Sequence, residues 1–67
     1  MTGKFKKDDK VALLRAIDPN DTYWSGHGLD KAIIGEVGKT LYEIIGDEGK
    51  GHSMYVKENE IVLRNNS

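Results

Sequence analysis

The chain has no cysteine, so neither a disulfide framework nor a thiolate metal site can staple it. It has a single proline and a single tryptophan, and its longest uninterrupted apolar run is the four residues Val11 to Leu14, far short of a membrane span. The N-terminus, Met1-Thr2-Gly3-Lys4-Phe5-Lys6-Lys7, lacks the apolar stretch of a secretory signal. These absences make the cytoplasm the expected location and argue against a membrane partner. The formal net charge of -1 gives no global pull toward nucleic acid.

What remains is 67 residues with an apolar fraction of 37%, enough for one domain with one small core. The expected division is a flexible basic arm over residues 1–9, a single domain over 10–64 and a frayed end over 65–67. At this basic start of the chain, Lys4, Lys6, Lys7 and Lys10 outnumber Asp8 and Asp9. A first strand is expected over residues 10–16, with Val11 and Leu13 facing inward, until Asp18-Pro19-Asn20-Asp21 stops it with a fixed φ and turn-forming side chains. A long loop then carries Tyr23-Trp24-Ser25-Gly26-His27-Gly28. Apolar residues at Leu29, Ala32 and Ile33 predict one or two helical turns ending at Gly35.

Residues 35–45 read as one long central strand, bent where Gly35 and Gly38 enter it. The series Gly46-Asp47-Glu48-Gly49-Lys50-Gly51 predicts a reversal into another strand over 52–57, with Met54 and Val56 on its inner face. Residues 57–60 predict a tight or 3₁₀ turn, and Ile61-Val62-Leu63 a closing strand. The predicted core is Val11, Leu13, Leu41, Ile44, Met54, Val56, Ile61 and Leu63.

This order of short antiparallel strands predicts a mostly β fold, a small SH3-like barrel of about five strands with a short helical turn in its long first loop. Gly35-x-x-Gly38-Lys39, Tyr55-Val56-Lys57-Glu58-Asn59-Glu60-Ile61 and the Tyr23 and His27 positions resemble the YorP-type small proteins of bacilli and their prophages. The likeness spans roughly residues 23 to 63 and departs at Trp24. It implies an SH3-like barrel bearing a short helix and a phage or prophage origin, and it supplies no activity.

Familiar chemical motifs are incomplete. Gly38-Lys39-Thr40 matches the end of a P-loop, but Ile33 stands where that motif needs glycine, and the segment enters a strand where a P-loop opens a helix. His27, His52 and Asp30 are metal-binding residue types at wide spacing, which ordinary loop hydrogen bonding explains better. Ser25, His27 and Asp30 are triad residue types crowded into one glycine-rich loop without a scaffold to aim them. No enzyme activity, metal or cofactor is expected.

Two binding readings remain. The first is a protein-binding module or small regulator whose contact residues are Tyr23, Trp24, His27, Tyr42 and Tyr55, since aromatic side chains dominate interface energetics; Trp24 is expected either as a binding anchor or as a lid over a small core. The second is nucleic-acid binding through Lys4, Lys6, Lys7, Lys10 and Lys39, opposed by Glu36, Glu43, Asp47 and Glu48. The sequence leaves partner identity and oligomeric state open.

Overall fold

The computed structural model describes residues 4–64 and contains five strands: β1 (Lys10–Leu13), β2 (Ala32–Val37), β3 (Tyr42–Ile45), β4 (Ser53–Val56) and β5 (Ile61–Leu63). They form one antiparallel sheet in the order β4-β3-β2-β1-β5, in which the last strand returns to lie beside the first. The mostly β class is as expected. The barrel is not closed, because β4 and β5 end the sheet on opposite sides.

The sheet curls at β2. Its register against β3 shifts between Ile34, opposite Ile44, and Glu36, opposite Glu43, leaving Gly35 as an extra residue of a bulge. A Cβ there would stand 2.8 Å from Ile45 Cδ1 and 2.9 Å from Glu43 Oε1, so a larger residue at the bulge would have to displace the ends of those two side chains.

The bent strand expected over 35–45 is two strands. The Gly38 N–H bonds to the Leu41 carbonyl at 2.9 Å, and the chain reverses through Lys39 and Thr40. Thr40 and Leu41 have strand-forming side chains, but here they close a tight turn. The parity of the next strand follows from that reversal: Tyr42 and Ile44 are fully buried, and Leu41 is left 38% exposed. Leu63 also leaves the predicted core. It lies opposite Val11 at the end of an edge strand and is 56% exposed.

Of the other expected core members, Val11, Leu13, Ile44, Val56 and Ile61 are buried, and Met54 packs against them half-buried. Tyr42, Ile34, Leu29, Ala32, Ala16 and Phe5 complete the cluster.

Phe5 lies in the segment expected to form the N-terminal arm and belongs to the core cluster. It is 3% exposed and meets Tyr42 edge-on at 5.4 Å. The following residues are held by the Asp8 N–H to the Ile34 carbonyl at 2.8 Å, and by the Ile34 N–H to the Asp9 carbonyl at 2.9 Å. Residues 1–3 of that arm, and residues 65–67, expected to fray, lie outside the described residues.

Two other boundaries move. β1 stops at Leu13 because Leu14–Ile17 turn into a 3₁₀ helix that buries Ala16. The helical turn after Gly28 is confined to Leu29–Lys31, since Ala32 and Ile34 are taken into the sheet. The reversal over 46–51 and the 3₁₀ turn Glu58–Glu60 form as predicted. Asp47 and Glu48 adopt left-handed backbone angles in that reversal, with φ of 53° and 55°.

Arg64, just after β5, ties distant segments together. Its Nε donates to the Val11 carbonyl at 2.9 Å and its Nη2 to the Ala32 carbonyl at 2.7 Å. Its Nη1 pairs with Glu48 Oε2 at 3.3 Å. Carbonyls of β1 and β2 are thereby joined to the β3–β4 connection.

Candidate interaction site

The long β1–β2 connection is ordered by its own polar side chains. Asp18 Oδ1 accepts the Asn20 N–H at 2.9 Å, and Asp21 Oδ1 accepts the Tyr23 N–H at 3.3 Å. These bonds are the turn-forming role expected of Asx residues around Pro19. They lead into a single helical turn, α1 (Tyr23–Gly26), closed by the Gly26 N–H to the Thr22 carbonyl at 3.0 Å.

That turn sorts the aromatic residues. Tyr23 and His27 are four residues apart and share one face, with ring centroids 4.5 Å apart. The His27 Nδ1 donates to the Tyr23 carbonyl at 2.9 Å, which fixes the ring against its own turn. Trp24 packs half-buried against the core and meets Tyr23 edge-on at 4.8 Å. Among the rings of this turn, Tyr23 is therefore the most displayed, at 61% exposure.

A second contact comes from far along the chain. His52, just before β4, meets the His27 ring at 4.5 Å. The backbone makes this possible at Gly28, where φ is 79° and the carbonyl accepts the Asp47 N–H at 2.7 Å. A Cβ on Gly28 would stand 2.8 Å from the Asp47 backbone nitrogen, so only glycine allows the first loop to seat against the β3–β4 connection. Between them lies an open polar hollow of about 470 Å³ that includes His27, His52, Asp30, Lys31 and Asp47 in its lining.

The chemical alternatives can be placed against this geometry. The Ser25 hydroxyl donates to the Thr22 carbonyl at 3.1 Å and the His27 Nδ1 to the Tyr23 carbonyl, so each is engaged with its own loop backbone. Among the described residues, no group of three or more His, Cys, Asp or Glu side chains is arranged to hold a metal ion. The Gly38-Lys39-Thr40 segment closes a hairpin, as described above. No helix among the described residues is long and apolar enough to cross a membrane.

The five expected contact residues fall into three places. Tyr23, Trp24 and His27 come together, joined by His52, which sequence reasoning had considered only as a metal ligand. Tyr55 is 65% exposed but lies opposite Glu43 and lines a separate hollow with Val37 and Leu41. Tyr42 is a core residue with no exposed surface, so it can make no direct contact with a partner. The lysines Lys4, Lys6, Lys7 and Lys10 are exposed along the docked N-terminal segment, with the Lys4 Nζ 5.9 Å from the centre of the Phe5 ring. No protein-family model matches the chain, and comparison with curated proteins and with solved structures finds no match.

Proposed function

We propose that the protein is a small non-enzymatic binding module that engages a protein partner through the face formed by Tyr23, His27 and His52. The observation that carries this reading is the exposed Tyr23 ring held in place on both sides. His27 supports it from within the same turn, and Trp24 anchors the turn to the core. A rigid aromatic side chain displayed this way loses little conformational entropy on binding. The strand order and the long first connection are those expected of an SH3-like architecture, while the likeness to the YorP-type proteins and a phage or prophage origin rest on the sequence motifs alone.

The nucleic-acid reading draws on one observation, that Lys4, Lys6, Lys7 and Lys10 are exposed along a segment docked by its backbone. One experiment separates the two. The intact protein is immobilised, exposed to host lysate, and compared with Tyr23→Ala and Tyr55→Ala variants at low and high salt. Loss of the retained protein with Tyr23→Ala, persistence with Tyr55→Ala and weak salt dependence are the expected result. Retention indifferent to Tyr23→Ala overturns the proposal, and capture of nucleic acid that falls steeply with salt favours the alternative.

A further inference from the structure

The 3₁₀ turn Leu14–Ile17 presents Leu14 and Ile17 three residues apart, a spacing that places side chains one above the other in this helix type. They are 42% and 51% exposed. Beside Leu14 a groove of about 390 Å³ runs between this turn and the segment leading into β5, with Leu13, Leu14 and Arg15 on one wall and Lys57, Asn59 and Glu60 on the other.

The charges in this groove are unevenly committed. Glu60 Oε1 accepts the Lys57 N–H at 2.7 Å, and the Glu60 N–H returns to the Lys57 carbonyl at 3.0 Å, so one oxygen of that carboxylate is held on its own turn and the groove carries two cations against one anion. The Arg15 guanidinium and the Lys57 ammonium have no ion-pair partner among the described residues, where the sole salt bridge is Arg64–Glu48. Two cations thus flank an exposed leucine.

We propose that this groove docks a short acidic segment of a partner protein. An apolar side chain of that segment lies on Leu14, and its carboxylates meet Arg15 and Lys57. A bidentate carboxylate suits Arg15, whereas Lys57 acts as a flexible point charge on the facing wall. The Asn59 amide at the same wall offers hydrogen bonds to an extended peptide backbone. The inference rests on the reading of the chain as a protein-binding module and uses no residue of the Tyr23 face.

The test is selection of randomised twelve-residue peptides displayed on phage against the intact protein. Recovered clones are then measured against Arg15→Glu/Lys57→Glu and Tyr23→Ala variants. Expected is enrichment of clones that combine aspartate or glutamate with leucine or phenylalanine, whose capture falls roughly tenfold in the charge-reversed variant and is unchanged by Tyr23→Ala. Should the reversed variant fail to melt like the parent, Arg15→Gln/Lys57→Gln removes the same charges with less repulsion. Three results overturn the proposal: no enrichment, enrichment without acidic residues, or acidic clones held equally by the charge variant. Clones lost with Tyr23→Ala alone would leave the Tyr23 face standing and remove the groove.

Discussion

The Tyr42 hydroxyl accepts the Phe5 N–H at 3.4 Å while the two rings meet edge-on, so a residue near the N-terminus and one in β3 share both a polar and an aromatic contact. Both side chains are buried, and the N-terminal segment is part of the core through this pair.

Removing Phe5 should therefore behave as a core truncation. Phe5→Ala is expected to cost about 3–5 kcal/mol in urea unfolding, most of the stability of a domain this small. A double-mutant cycle with Tyr42→Leu should show a coupling of about 0.5–1.5 kcal/mol. An unaffected midpoint in Phe5→Ala would mean that the segment does not dock.

Leu41 and Ile44 test the position of the β2–β3 reversal. Ile44→Ala should cost about 2–5 kcal/mol, whereas Leu41→Ala, at a partly exposed turn position, should cost less than about 1 kcal/mol. Equal losses in denaturant melts would place Leu41 inside a continuous strand.

Trp24 and Tyr23 should separate folding from binding. Tryptophan emission in the free protein is expected to be blue-shifted and only partly quenched by iodide, and Trp24→Ala should destabilise by about 3 kcal/mol. Tyr23→Ala should stay within about 0.5 kcal/mol of the parent in the same melts. A red-shifted, fully quenched tryptophan would mean that α1 is not seated on the core.

Asp8 sits at a φ of 73° with its backbone N–H bonded to Ile34. Glycine adopts this left-handed conformation without a Cβ clash, so Asp8→Gly should raise stability by about 0.5–1 kcal/mol, while a β-branched Asp8→Val should lower it by more. Thermal melts of the two variants should move in opposite directions.

The elements legible in the sequence were those whose side chains alternate cleanly or whose turns carry strong breakers. Ser53 to Val56 shows its inward pair at Met54 and Val56, and residues 46–51 hold three glycines around an acidic pair. The hairpin at Lys39-Thr40 carries no Asn-Gly or Asp-Gly signal, and Thr40 and Leu41 favour strands, so local preference pointed the wrong way there. Phe5 was hidden among lysines. Its burial depends on Tyr42, 37 positions away, which no local pattern encodes. For the site, Tyr23 and His27 stand out because aromatic residues in a long loop are conspicuous. The contribution of His52 depends on how closely Gly28 approaches the Asp47 backbone, a relation between two loops that becomes visible only in three dimensions.

Arg64 carries a consequence for the order in which the molecule assembles. Its side chain reaches Val11, Ala32 and Glu48, 53, 32 and 16 positions back along the chain. Bonds that span such separations form only after the intervening chain has been brought together, since the entropy of closing those loops must be lost first. They are expected in the last part of the folding reaction, with Arg64 as a latch on the finished sheet and the local β2–β3 and β3–β4 hairpins as the nucleus, so Arg64→Ala should speed unfolding and leave the folding rate nearly unchanged in denaturant-jump kinetics. The lifetime of the native state depends on such late contacts, and its rate of formation does not.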